Sequence, residues 1–391
     1  MKKNVVIPSA IQICIDDVGW FNGSDQRYIG LPSRTGMTRR HCPEDYTVLN
    51  EIGKAIGMKL MCPLVLGEWD RDNILRGEVG LTYEPQTWDR ASKLDLRLAE
   101  KCFEAAENSE YIEYAHHGVL HGSYAPDGSQ ITEMEYLRPV PGTDRFTVQS
   151  ESEIAHRFDV FYKLYDMWGF SKKIRSFAFP NGIPAYITEE ELEPLTNVMK
   201  SRGIEYWANA RTEAKEKRIG NTEFIGGILY MEKGTKAPIP WNAYDVDPLL
   251  LPDVASEDDE KIGIIFGTHW PNYLRFNARH NPERVDDWAK YFKRQAEIFG
   301  VMISKDIAFA GNQCVYRAYG KVTESEGKIT FDLRDVLSKS GKYAKGEFYV
   351  SLHHGLEPKS AEGGTYELYE KHENFNTYKI KHTSPTVELT V

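Results

Sequence analysis

Two adjacent carboxylates, Asp16 and Asp17, end the apolar run Ile11-Gln12-Ile13-Cys14-Ile15. Two histidines, His117 and His121, stand four residues apart directly after a second apolar run, and His269 follows a third. A helical turn would put His117 and His121 on one side, within reach of one ion. Two imidazoles and a carboxylate with open positions are what a hydrolytic divalent ion requires. Each motif alone is weak, since an Asp-Asp pair commonly caps a helix or closes a turn and His-x-x-x-His occurs in many loops. They gain weight together because each follows its own buried strand, and parallel α/β folds place their chemistry at the C-terminal ends of strands. Successive strand residues face opposite sides, so Asp16 and Asp17 are expected to have different tasks. His269 is read as a titrating acid, and His116, with Leu120 at the matching spacing, as a supporting residue.

The elements that must position these groups alternate. Ile11–Asp17, Lys59–Leu66, Tyr111–Ala115, Ile174–Phe179, Ile204–Ala208, Phe224–Tyr230 and Ile262–Gly267 read as buried strands, being apolar and bounded by turn residues. Between them, helical spacing predicts helices over 44–58, 90–108, 152–168 and 285–299, with Pro43 opening the first and Thr188–Glu191 forming a capping box before another. Strand–helix alternation predicts parallel β/α units. About seven strands without Gly-x-Gly-x-x-Gly or a phosphate loop favour a barrel over an open doubly wound sheet. Beyond Asn312 the pattern changes to short alternating runs separated by turn residues, such as Lys328–Leu333, Glu347–Leu352, Thr377–Ile380 and Thr386–Thr390. That predicts a small antiparallel β-sandwich over 313–391, after a barrel domain over 1–312.

With 391 residues the chain exceeds what one core usually supports, which fits a large and a small domain. Its 41% hydrophobic and 27% charged residues are those of an ordinary globular protein, and a net charge of −10 argues against nucleic acid and anionic membrane as partners. No apolar run is long enough to span a bilayer. Met1-Lys2-Lys3 has the basic start of an export signal, but the apolar residues after it lead straight into the first strand, so a cytoplasmic protein is expected. Five scattered cysteines without a Cys-x-x-Cys pair read as reduced thiols. A homo-oligomer is compatible with this composition.

The ordered set Asp16-Asp17, His117-Gly118-Val119-Leu120-His121, Phe177-Ala178-Phe179-Pro180-Asn181-Gly182, Trp207 and His269 resembles the five motifs of the polysaccharide deacetylases of NodB-homology type, a carbohydrate esterase family. The resemblance covers roughly residues 8–312. It implies a distorted (β/α)7 barrel, one divalent ion, commonly Zn²⁺, and release of an acetyl group from an amino sugar or related glycan. By this resemblance Asp16 would be the catalytic base, Asp17, His117 and His121 the metal ligands, and His269 the general acid. Trp20, Asn181, Trp207 and Trp270 would contact substrate, and Trp69 and Trp241 are further aromatic residues able to stack on a sugar ring. The sequence departs from the family at two places. The position where the family carries an Arg that holds the catalytic Asp is Ala178, and Trp207 is flanked by Tyr206 and Ala208 instead of by an Asp.

Three functions therefore compete at this level. The first is a metal-dependent deacetylase of carbohydrate or another small acylated substrate. The second is a metal-dependent hydrolase of linear or cyclic amides, and the third is a carbohydrate-binding protein with a degenerate site.

Overall fold

The structure, a computed structural model, describes residues 4–23, 35–209, 211–212, 222–233, 235–236, 239–253 and 265–391, with only the backbone at 211–212 and 235–236. Its centre is a parallel sheet of strands β1 (Ala10–Asp16), β2 (Leu60–Leu64), β3 (Ile112–His116), β4 (Ser176–Ala178) and β5 (Tyr206–Asn209). It continues with β6 (Thr222–Ile225), β7 (Ile228–Glu232), β8 (Thr235–Lys236) and β9 (Ile265–His269). The spatial order is β6-β7-β5-β4-β3-β2-β1-β9-β8. Only two residues separate β7 from β8, so one stretch of chain borders β5 at one end and β9 at the other. That brings the two edges of the sheet round towards each other as a distorted barrel. The expected final strand is seen over Ile265–His269, while Ile262–Ile264 lie outside the described residues.

Alternation along the strands sorts their side chains into two cores. One face of the strands presents Cys14, Met61, Ala115, Ala178, Ala208 and Met231, all fully buried and in one cluster with Ile307, Ala310 and Cys314 of helix α6 (Ile307–Tyr319). The other face presents Ile13, Ile15, Leu60, Cys62, Leu64, Tyr114, Phe177 and Trp207 to helices α1 (Pro43–Ile56), α2 (Leu96–Glu107), α3 (Glu151–Trp168), α4 (Glu193–Ser201) and α5 (Val285–Phe299). Small residues on the first face follow from the little room a narrow barrel leaves. The site residues are the next ones along that face: Asp16 two beyond Cys14, His117 two beyond Ala115, Lys233 two beyond Met231 and His269 two beyond Gly267.

Several predicted elements are corrected in detail. Phe224–Tyr230 is not one strand but the hairpin β6–β7, paired antiparallel around Gly226-Gly227. Both glycines have positive φ, 55° and 84°, which is the backbone a tight two-residue hairpin turn needs. Helix α2 starts at Leu96, not near Arg90, because Asp95 caps it by accepting from the Leu98 amide at 3.1 Å. The Thr188–Glu191 capping box forms, with reciprocal bonds of 2.8 and 3.2 Å, but it closes a turn, and the continuous helix begins only at Glu193.

Beyond α6 two four-stranded antiparallel sheets face each other. One orders Lys321–Ser325, Lys328–Asp332, Thr386–Thr390 and Ser360–Glu362; the other orders Val5–Val6, Glu347–His353, Phe375–His382 and Gly364–Lys371. Ile329, Phe331, Val387 and Leu389 from the first share a core with Phe348, Val350 and Ile380 from the second. The N-terminus therefore belongs to the sandwich, Val5 lying opposite Leu352. The expected division after residue 312 falls inside α6, which ties both parts together. Gln313 Nε2 donates to Pro8 O and Tyr349 O, each at 2.9 Å, and Asn312 Nδ2 to Glu347 O at 2.9 Å. A Cβ at Gly311 of α6 would stand 2.7 Å from Tyr206 Cε1 and 3.1 Å from Leu229 Cδ2. Gly311→Val should therefore cost about 1–3 kcal/mol by overpacking, read as a lowered urea midpoint, and an unchanged midpoint would refute close packing of α6 on the barrel.

Candidate metal centre

Asp17, His117 and His121 converge on one point although they come from two distant segments. His117 Nε2 and His121 Nε2 each lie 3.6 Å from Asp17 Oδ1, and the three side chains offer ligand atoms all within 4.8 Å of one another. Ligands at 2.0–2.1 Å from a tetrahedral zinc stand about 3.3 Å apart, so this spacing fits a small divalent ion. The three residues are 3%, 1% and 6% exposed. At 3.6 Å none of these contacts is a hydrogen bond. Asp17 Oδ1 and His117 Nε2 have no hydrogen-bond partner, although buried polar atoms nearly always have one. A cation would satisfy both.

The ring of His117 is fixed for that task. Its Nδ1 lies 2.7 Å from Ala178 O at the end of β4, so Nδ1 carries the proton and Nε2 keeps its lone pair facing Asp17. His117 and His121 do not share a helical turn as their spacing predicted. The chain from 117 to 122 is an irregular bend, and the rings meet at 5.0 Å between centroids because Gly118 (φ 118°) and His121 (φ 50°) turn it back. Asp17 (φ 65°) and Asn181 (φ 59°) also adopt the left-handed region. Thus three of the six non-glycine residues with positive φ among the described residues lie in the segments that follow β1, β3 and β4. Such backbone costs about 1–3 kcal/mol per residue and clusters where geometry is functional.

Beside the triad, Asp16 is held by a residue that sequence reasoning missed. Lys233, immediately after β7, places Nζ 2.7 Å from Asp16 Oδ1 and 2.5 Å from Oδ2. Ala178 of β4 supplies no cation, and the positive charge arrives from a different strand. Nothing in the linear sequence links residues 16 and 233, although a lysine one step past an apolar strand could have been flagged. Gly267 makes the approach feasible, since a Cβ there would lie 3.2 Å from Lys233 Cδ. Burial by itself would raise the Asp16 carboxyl, but Lys233, His117 and His269 hold it well below the usual carboxylate range. Burial likewise pushes Asp17 up, and the imidazoles of His117, His121 and His269 more than offset it.

His269 ends β9 in register with Asp16 and is half-buried; burial lowers its pKa, which favours a neutral ring at pH 7. Trp241, also half-buried, meets it edge-on at 6.5 Å between centroids. The expected substrate contacts are corrected in part. Trp20, Trp207 and Trp270 are 1%, 0% and 0% exposed and belong to the core between strands and helices. Trp207 follows the strand face that packs outward against Phe177 and Tyr230, and Trp270 stacks on His41 at 3.8 Å. Trp69 is similarly buried. Asn181 is exposed in the turn after β4, on the rim. His116 is a packed core residue, stacked on Phe158 at 4.0 Å with Nε2 2.5 Å from Tyr136 Oη.

No protein-family model matches the chain, and no curated protein does. Among solved structures it is similar to an alpha-fucosidase of Thermotoga maritima, at 10% identity with 98% of this chain and 96% of that one covered and a TM-score of 0.33. An endogalactoceramidase matches at 9% identity, 98% and 96% coverage and a TM-score of 0.31. A putative alpha-N-acetylgalactosaminidase of Bacillus halodurans C-125 matches at 11% identity, 97% of both chains and a TM-score of 0.30. All three are glycoside hydrolases, and the expectation of a metal-dependent deacetylase is corrected accordingly. The motif order that suggested it is a property of strand ends in a β/α barrel and does not define which bond is broken. Among the described residues no helix is long and apolar enough to cross a membrane.

Removing the Lys233 charge should leave Asp16 buried and unpaired. Lys233→Met is expected to destabilise the protein by about 3–5 kcal/mol in urea unfolding at pH 7, and a midpoint equal to wild type would show that the pair does not hold the barrel mouth.

Proposed function

We propose that the protein is a carbohydrate-active hydrolase whose reaction centre is the Asp17–His117–His121 triad loaded with a divalent ion, most simply Zn²⁺. The observation that carries this reading is the buried, unpartnered pair Asp17 Oδ1 and His117 Nε2, with His121 Nε2 beside them and the His117 ring fixed by Ala178 O. When bound, such an ion supplies Lewis acidity and makes water a better nucleophile at neutral pH. Two hard or borderline nitrogens and one carboxylate suit zinc among the common divalent ions.

Around that centre the chain supplies acid and base. Asp16 is kept ionised and oriented by Lys233, and each of its oxygens retains a lone pair able to take a proton from the attacking water. His269, across the barrel mouth in register with Asp16 and neutral at rest, would take up the proton that Asp16 removes from water and pass it to the leaving oxygen. Trp241 supports the substrate class. It is the half-buried indole against His269, and an amphipathic ring at a polar site suits the apolar face of a sugar. The names of the similar structures suggest the sugars to try first, namely fucosides, galactosides and N-acetylgalactosaminides.

Elemental analysis of dialysed protein should find about one divalent ion per chain, and Asp17→Ala should lose it. Asp16→Asn should keep the ion while kcat on the responsive glycoside falls by about 10²–10⁴-fold. Trp241→Ala should raise KM more than it lowers kcat. Wild-type protein that binds no ion, or glycoside turnover indifferent to chelation, would remove the reading.

A further inference from the structure

The His117–His121 bend is an improbable shape for a free chain, and one buried carboxylate accounts for it. Glu135, fully buried, accepts from the Val119 amide at 2.9 Å on Oε1 and 3.1 Å on Oε2, and from the Gly122 amide at 3.3 Å on Oε2. The amides it takes belong to residues between and just after the two histidines. Gly118 leaves the space that Glu135 fills, since a Cβ there would lie 2.3 Å from Glu135 Oε2 on a backbone at φ 118°. Successive amides turned inward on an anion form a nest of the kind that fixes loop shape.

Glu135 is itself held from three sides. Arg157 of α3 stands 3.7 Å from Oε1, and the Glu135 carbonyl accepts from Ser123 Oγ and Gln149 Nε2, each at 2.9 Å. Arg157 Nε donates to Gln149 Oε1 at 2.9 Å and its Nη2 to Gly80 O at 3.0 Å. A carboxylate so enclosed has no access to substrate, so its influence must pass through the loop it grips.

We propose that Glu135 is the positioning residue of the metal centre: its carboxylate holds the 117–122 bend so that both imidazoles meet Asp17. The proposal rests on the metal reading above. Groups that orient metal ligands typically change affinity by 10–100-fold when removed.

Competitive titration of apoprotein with Zn²⁺ against a chelator, together with the visible spectrum of the Co²⁺ form, tests it. Glu135→Gln keeps the shape but offers only one acceptor oxygen, and should weaken Zn²⁺ about tenfold and alter the cobalt bands. Glu135→Leu should weaken it about 100-fold. Arg157→Met removes one support of Glu135 but leaves both acceptor oxygens on the Val119 and Gly122 amides, so it should lower the Tm and weaken Zn²⁺ by less than Glu135→Gln does. Wild-type affinity and bands in Glu135→Gln would overturn the proposal, as would equal losses in Arg157→Met, which would mark a merely structural network. If Glu135→Leu does not fold, Glu135→Gln decides. Failure of the wild type to bind Zn²⁺ or Co²⁺ would instead remove the metal reading itself.

Discussion

The structure depends on burying two neighbouring carboxylates at the end of one strand. A carboxylate out of water must be met by positive charge or by several donors, or it will protonate. Asp16 is met by Lys233 on both oxygens. Asp17 is met by no donor on Oδ1, only by two imidazoles just beyond hydrogen-bond reach. The two acids therefore end in different electrostatic environments although they are covalent neighbours. The left-handed backbone at Asp17 ends the strand alternation there and belongs to the turn that leaves β1.

That arrangement asks for support from outside the barrel. The His117 ring leans on a carbonyl of β4, and the 117–122 bend leans on Glu135, which in turn leans on α3. On the other side of the mouth, Glu68 accepts from the Phe21 and Asn22 amides at 2.9 and 2.7 Å and pairs with Arg90. Buried carboxylates outside the triad thus gather the amides of the loops that leave β1 and β3. Strained loops persist only where their surroundings over-determine them, and here the surroundings are polar networks that hydrophobic patterning does not record.

A β/α barrel hosts many chemistries. What individualises this one is a metal-fitting triad inside the mouth, with an ion pair and a histidine beside it. The same consideration corrects the expectation of acetyl release. Motif order along a β/α chain reports where strands end, since chemistry must sit there, and it is silent on the bond that is broken.

Much was legible in the sequence. Strand–helix alternation, the change of pattern into an antiparallel module, and the placing of Asp16-Asp17, His117, His121 and His269 just past apolar strands all follow from apolar periodicity, while the choice of Asp17 as the carboxylate beside the histidines came from the family resemblance. Alternation and placement are local properties, and local sequence determines them. Tertiary structure alone decided the rest. The hairpin at Gly226-Gly227, the N-terminal strand that joins the sandwich, and the burial of Trp20, Trp207 and Trp270 depend on which face meets which neighbour. The partners Lys233 and Glu135 reach the site across sequence separations that no spacing rule spans. Even the histidine pair, read correctly as a pair, is joined by a bend and not by the helical turn its spacing implied. Periodicity fixes what a segment will bury, but the charge that a buried carboxylate must find is supplied by whatever the completed fold brings to it.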